Sequence, residues 1–383
     1  MKILIVFNRY EYRGGEDTYV DNLIKLLKKN GHQVKTYIKD SQKIKTLTDK
    51  IRTGFGLFWN FQTARELGKI VAEFKPKVAH FHNIYPLISP TAYYVCKKGG
   101  AKIIQTIHNY KFVCPKNSLF RGGKICELCV TKSFAYPSII YGCYHNSRLA
   151  SLIYSLAFFF HSLIGTFSLI NTDIFPSPFT QEYYLKYAHI PKNKTVVLPY
   201  FVVPSQETPQ IASQQDSFLY VGRLSEEKGI SQLLEAFRDL PKLKLKVIGN
   251  GPLKSSLEKN YAKFKNIILI AFIKQSEIFL QMKLARAVIV PSLWYEVQPN
   301  VILEAIASRC PIIIPKTKNF SSWIPKNADV LTYQMNEVNG LKKAILASKS
   351  KKIPQLRKGV FSKMMSQFSP VSHYKNLMKI YEN

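Results

Sequence analysis

Residues 218–251 read FLYVGRLSEEKGISQLLEAFRDLPKLKLKVIGNG. Phe218–Val221 is an apolar run that stops at Gly222, Lys228–Leu240 reads as a helix, and Leu245–Ile248 is a second apolar run that stops at Gly249. Two short apolar strands joined through a helix make a parallel crossover unit, because a hairpin needs only a tight turn. The alternation continues with strands at Asn266–Ala271, Ala287–Pro291 and Pro311–Ile314, separated by helices over Pro252–Phe264, Gln275–Ala285 and Pro299–Ser308. The first half repeats it. Strands at Lys2–Phe7, Gln33–Ile38, Val78–His82 and Lys102–His108, one ending at Phe175, and one at Thr195–Tyr200 alternate with helices over Glu16–Asn30, Phe61–Phe74 and Ser89–Lys98. A parallel sheet with helices on both faces buries such a pattern. The sequence therefore predicts an α/β protein of two doubly wound, Rossmann-like domains facing across a cleft, where ligands of such sheets bind.

The domains are expected at 1–203 and 217–365, joined by the polar linker PSQETPQIASQQD at 204–216. A closing segment, 366–383, carries Tyr374, Leu377, Met378 and Tyr381 at helical spacing and is expected to pack back on the first domain. A length of 383 residues suits two such domains. Hydrophobic residues at 46% and charged residues at 21% exclude a disordered or collagen-like chain. Lys and Arg total 55 against 24 Asp and Glu, a formal net charge of +31 spread over both halves. An anionic partner suits that excess, whether nucleic acid, membrane lipid or a phosphorylated ligand; a lysine-rich solvated surface accounts for the same numbers.

Three blocks of the second half carry chemistry. Arg223 and Lys228, flanked by Gly222 and Gly229, stand where a strand meets a helix, and two cations there suit a diphosphate. Gly249 and Gly251 in VIGNGP permit close backbone approach to a nucleotide. In WYEVQPNVILEA, Pro299 suits the first turn of a helix, so Glu296 falls in the preceding loop and Glu304 inside the helix. The free N–H groups at that helix start attract an anion, and each carboxylate can accept hydrogen bonds from a sugar hydroxyl.

Together these blocks resemble the retaining glycosyltransferases of family 4, which have the GT-B fold. The resemblance covers the whole chain and is most specific over residues 218–315. It implies that Arg223 and Lys228 hold the donor diphosphate, that Glu304 binds the nucleotide ribose, and that Glu296 binds the donor sugar. The backbone of Gln298, Pro299, Asn300 and Val301 would complete the cradle. Gly14 and Gly15 look like the family's glycine loop beside the diphosphate. His108, ending KIIQTIH, matches the family's histidine at the reacting centre; Asn109 follows where relatives often have Asp. In HFHN, His80 reads as a structural histidine, and His82 and Asn83 as acceptor-side contacts. The implied donor is a nucleotide diphosphate sugar. The implied acceptor is a glycan or lipid-linked glycan of a cell-surface polysaccharide. No DxD-type motif appears in a matching place, so no catalytic metal is expected.

Four of the six cysteines lie in an insertion, 114–143, as Cys114-x11-Cys126-x2-Cys129-x13-Cys143. That spacing suits structural zinc; free thiols and a redox role are the other readings. The start MKILIVF reads as a strand and lacks a signal peptide's features, so the chain is expected in the cytoplasm. Leu149–Ile170 carries no formal charge and is long enough to span a bilayer. Its Ser and Thr residues and Gly165 favour a buried helix followed by a strand, or an interfacial helix. With the basic charge, the latter would hold the protein peripherally on an anionic membrane face. Two other functions compete: a nucleic-acid-binding protein with a zinc module, and a sugar phosphorylase or epimerase of the same fold. The first leaves the paired doubly wound pattern, Glu296 and Glu304 without a role, the second predicts phosphate-dependent turnover, and no nucleic acid is expected as a partner.

Overall fold

The computed structural model describes residues 1–12, 14–188, 190–204, 217–271, 273–324, 330–335, 337, 339–348 and 365–383. Apart from Pro204, the expected linker lies outside the described residues. Two compact units are present: Met1–Leu119 with Cys126–Pro199 and Tyr374–Asn383, and Phe120–Ile125 with Tyr200–His373.

The first unit contains β1 (Lys2–Arg9), α1 (Gly15–Lys29), β2 (Gln33–Asp40), α2 (Leu47–Gly56), α3 (Phe61–Phe74), β3 (Val78–Phe81), α4 (Thr91–Lys98) and β4 (Lys102–Thr106). After the short hairpin β5 (Phe120–Arg121) and β6 (Lys124–Ile125), which sorts with the second unit, come α5 (Tyr136–Ile140), α6 (Arg148–Leu163), β7 (Thr172–Phe175), α7 (Pro178–Tyr187) and β8 (Thr195–Val197). Its sheet runs β2-β1-β3-β4-β7-β8, all parallel. Ile3 to Phe7 of β1 are fully buried, as expected of a strand covered on both faces. Helix α1 buries Tyr19, Val20, Leu23 and Leu27 on one side, and the Asp17 carboxylate accepts from Gly14 N–H at its start.

The second unit contains β9 (Ser217–Val221), α8 (Ile230–Arg238), β10 (Lys244–Ile248), α9 (Lys254–Tyr261), β11 (Ile267–Ile270), α10 (Gln275–Leu284) and β12 (Ala287–Ile289). α11 (Asn300–Ala307), β13 (Ile312–Pro315), α12 (Lys318–Ser321), β14 (Val330–Tyr333) and α13 (Gly340–Ala347) follow. The sheet order is β11-β10-β9-β12-β13-β14, again parallel. In the first sheet β1 lies between β2 and β3, and in the second β9 lies between β10 and β12, so the strand order reverses direction at β1 and at β9. The carboxyl ends of β1 and β3, and of β9 and β12, are therefore the topological switch points where ligands of such folds bind. The final helix, α14 (Pro370–Glu382), is held in the first unit by Tyr381 Oη and His80 Nδ1 at 2.6 Å and by Lys102 Nζ donating to Ile380 O at 2.7 Å.

Two expectations need correction. The helix read over Lys228–Leu240 begins only at Ile230: Glu226–Lys228 is a 3-10 turn, and Gly229 takes the left-handed conformation at φ 69°. The apolar stretch Leu149–Ile170 contains no strand. Helix α6 ends at Leu163, Gly165 turns the chain at φ 69°, a 3-10 turn spans Thr166–Leu169, and β7 starts at Thr172. Helix α6 buries Tyr154, Ala157 and His161 but exposes Leu149, Leu156, Phe160 and Leu163. Among the described residues no helix is long and apolar enough to cross a membrane.

Candidate active site

In the second unit, the loops after β9, β10 and β12 are tied together through backbone. Leu224 N–H donates to Asn250 O at 2.9 Å, and Leu293 N–H donates to Glu227 O at 2.9 Å. The glycines make this approach possible. A Cβ on Gly249 would lie 1.9 Å from Gly222 O, one on Gly251 2.5 Å from Leu224 O, and one on Gly229 2.0 Å from Pro291 O. The close neighbour that these three positions demand is thus an adjacent loop. Gly229, which the sequence marks only as a flank of Lys228, sets by its conformation where Lys228 sits.

This framework brings Lys228 and Glu296 together. Lys228 Nζ lies 2.7 Å from Glu296 Oε1 and 5.0 Å above the Trp294 ring, and Ser292 Oγ donates to the same carboxylate oxygen at 2.5 Å. Glu296 is only 3% exposed. Arg223 is exposed at the end of β9, and its carbonyl accepts from Tyr220 Oη at 2.7 Å. Gln298 is buried. Its Oε1 accepts from Tyr200 N–H at 2.6 Å, which fixes the amide's orientation, and its Nε2 then has no acceptor among the described residues. A buried donor left unpaired costs about 1–3 kcal/mol, which a bound acceptor group would remove. Pro299 precedes α11, so Asn300 and Val301 form its first turn. Glu304 is buried within α11 and accepts from Gln275 Nε2 at 3.1 Å. Burial pushes its carboxyl up to about 7, opposed by that hydrogen bond.

The first unit carries the remaining candidates. Gly14 and Gly15 open α1 just beyond β1. His82 Nδ1 and His108 Nε2 are 2.9 Å apart, so one ring donates and the other accepts. Burial holds both imidazoles neutral, with His82 well below its usual value and His108 down to about 3; the charges of His80 and His108 lower His82 further. His82 Nε2 is buried without a partner among the described residues. His80 bonds Tyr381 Oη and Thr106 Oγ1, as a structural histidine should. The amide of Asn83 donates to Asn8 O and Tyr85 O, which ties down the turn after β3. Lys111 was not singled out by the sequence. It shares a small cleft with His82, Asn83 and His108, and no local pattern marks a lysine buried by tertiary packing.

In the insertion, the thiols lie close enough to raise one another. Burial, then the neighbouring Cys114, Cys143 and Cys126, pushes Cys129 up to about 12. Among the described residues, however, no group of three or more His, Cys, Asp or Glu side chains is arranged to hold a metal ion.

Comparisons with known proteins bear on the whole chain. The family described as "Glycosyl transferases group 1" matches residues 205–358, and "Glycosyltransferase Family 4" matches residues 13–206. A Bacillus subtilis protein named as a teichuronic acid biosynthesis glycosyltransferase, TuaC, is 28% identical over 43% of this chain and 41% of its own length. The chain spans 64% of a second curated relative, from Methanocaldococcus jannaschii, so it covers less than two thirds of either. Among solved structures, sucrose-phosphate synthase of Thermosynechococcus elongatus superposes with a TM-score of 0.72 at 15% identity, covering 100% of this chain and 98% of that one. Anabaena HepE in complex with UDP and glucose gives 0.67 at 12% identity, covering 99% of each. Identities this low speak to fold, and the fold is GT-B with two Rossmann-like domains. With just over half of its residues matched by the second of these families, the chain belongs to glycosyltransferase family 4.

Proposed function

We propose that this glycosyltransferase is a retaining enzyme that moves a sugar from a nucleoside diphosphate sugar to a glycan or lipid-linked glycan in cell-surface polysaccharide synthesis. The observation that carries the donor half is the cluster at the carboxyl ends of β9 and β12: Arg223, the Lys228–Glu296 pair and the unpaired Gln298 amide. A solved neighbour in complex with UDP and glucose, and a relative named for teichuronic acid biosynthesis, support the donor and acceptor classes.

In the reaction, the bond between the sugar's anomeric carbon and the β-phosphate oxygen breaks as an acceptor hydroxyl attacks from the same face. The hydroxyl proton passes to the departing phosphate. Arg223, Lys228 and the N–H groups of Asn300 and Val301 stabilise the charge that gathers on the diphosphate. Preorganised donors of this kind are worth about 3–4 kcal/mol each in the transition state. Glu296, steadied by Lys228 and Ser292, accepts from hydroxyls of the donor sugar, and Glu304 accepts from the ribose. The family resemblance assigns Gly14 and Gly15 to the diphosphate, the neutral His108 to the donor sugar, and His82 and Asn83 to the acceptor. A thermal-shift panel of nucleotide sugars, followed by NMR of the product anomer, tests this reading. Stabilisation by one donor and a product of retained configuration are expected; an inverted product, or turnover requiring inorganic phosphate, would reject it.

The four insertion cysteines are proposed to gather around one structural zinc, since a cation would reverse the mutual raising of their thiols. Elemental analysis of protein prepared without chelator should give one zinc per chain, and metal-free protein that remains folded would reject the site. The exposed apolar side chains of α6 and the basic charge support peripheral attachment to the cytoplasmic membrane face. Sedimentation with anionic liposomes, released by about 0.5–1 M salt as screening shortens, is the expected result. Equal binding to neutral liposomes, or none to either, would contradict it.

A further inference from the structure

A cavity of about 950 Å³ opens in the first unit, lined by α6, the Cys-rich insertion and residues of β7 and α7. Its volume is at the upper end of the ~300–1,000 Å³ typical of ligand pockets. Phe112, Phe158, Phe159, Leu163, Phe167 and Ile190 give it apolar walls. Its lysines and carboxyls are lopsided, with Lys111, Lys132, Lys186 and Lys194 against Asp173 alone, and the thiols of Cys114 and Cys129 also line it. Asp173 is buried, and burial pushes its carboxyl up to about 7, so it opposes an incoming anion only weakly at neutral pH.

Lys111 distinguishes this cavity from a packing defect. It is 6% exposed, and its ammonium sits 4.6 Å from the Tyr144 ring centre and 5.0 Å from that of Tyr154. Among the described residues it has no ion-pair partner and its Nζ donates to no acceptor. The two tyrosine faces offset part of the cost of burying this cation, and an anion in the cavity would offset more. Burial lowers Lys111 to about 8, with the charges of Cys114 and Glu16 opposing. The same residue also lines the small cleft that holds His82 and His108, so one cation borders both spaces.

We propose that this cavity takes the hydrocarbon chain of a lipid phosphate whose anionic head pairs with Lys111. Apolar walls alone would accept any greasy molecule, and the Lys111 ammonium, which lines the cavity over two tyrosine rings and has no carboxylate partner among the described residues, selects one that carries a phosphate. The inference deepens the acceptor side of the proposed function, and rests on that reading only for regarding the lipid as a substrate.

The test is calorimetric titration of the full chain with dodecyl phosphate below its micellar concentration, alongside dodecyl maltoside and inorganic phosphate. Dodecyl phosphate should bind at least tenfold tighter than dodecyl maltoside, and millimolar inorganic phosphate should not displace it. Lys111→Met should abolish that preference while leaving the maltoside's affinity unchanged. Ser162→Trp, which fills the cavity from its α6 wall, should weaken both amphiphiles. Equal affinity of the wild type for the two amphiphiles would overturn the proposal without recourse to any variant, as would displacement by inorganic phosphate alone. UDP titrated into the same sample separates the two readings. UDP binding without dodecyl phosphate binding defeats this inference only, whereas the reverse result defeats the UDP-sugar form of the donor assignment only.

Discussion

Arg223→Ala is expected to lower turnover by about 10²–10³ while leaving the fold intact, and Lys228→Ala to cause a similar loss together with a measurable loss of stability. Removing one preorganised donor from a developing anion costs about 2.7–4 kcal/mol. The two cations differ in what they do before substrate arrives. Arg223 is exposed, and removing its side chain leaves no buried group unpaired. Lys228 pairs with Glu296, whose side chain is only 5% exposed. Deleting one member of a buried pair costs about 3–5 kcal/mol because the other charge is stranded. Lys228 is itself 22% exposed, so water can reach the vacated space and the lower end of that range applies. Glu296→Gln in the Lys228→Ala background should recover much of the lost stability and none of the turnover. Steady-state kinetics with thermal denaturation of all three proteins checks this. Near-normal turnover in either single variant would remove that residue from the diphosphate site.

Glu304→Gln should weaken binding of the nucleoside diphosphate more than Glu296→Gln does, and at the same time stabilise the empty protein above neutral pH. Burial raises the Glu304 carboxyl from 4.5 to about 7. The folded state therefore holds a proton that the unfolded chain releases at lower pH. Stability is full below about 4.5, declines as pH rises towards 7, and stays reduced above it, by about 3 kcal/mol in all. The glutamine removes that cost and can still accept from Gln275 through its carbonyl. Ribose hydroxyls prefer the carboxylate, so wild-type nucleotide affinity should strengthen as pH rises through 7 by more than the variant's, which follows only the ionisation of the nucleotide's terminal phosphate. His82 and His108, both held neutral, should add no limb in that range. Calorimetry at pH 6 and 8 decides; unchanged affinity in Glu304→Gln would end the ribose assignment.

The alternation of strand and helix was legible because parallel strands buried on both faces leave unbroken apolar runs such as Ile3–Phe7. Motif positions were legible because glycines and charges fall where strands end. Element limits were not. Gly229 delays the start of α8 and Gly165 follows the end of α6, each in a left-handed backbone that composition does not display. Gly249 and Gly251 suit close approach by a ligand, and the structure adds a reason that the sequence does not display: each is pressed against the Gly222–Leu224 backbone. Helices α2 and α7 and strand β14 passed unread, being short or weakly patterned. Lys111 owes its burial to Tyr144 and Tyr154, more than thirty residues away in the chain, so only tertiary structure could reveal it.

The second unit is proposed to bind a nucleoside diphosphate through the cations and glutamates at the ends of β9 and β12. Calorimetric titration of UDP, GDP, ADP and dTDP into the wild type and Arg223→Ala tests it most directly. One of the four should bind the wild type with a stoichiometry of one per chain, and should bind the variant at least tenfold more weakly. Binding of none, or equal affinity in the two proteins, would contradict the account.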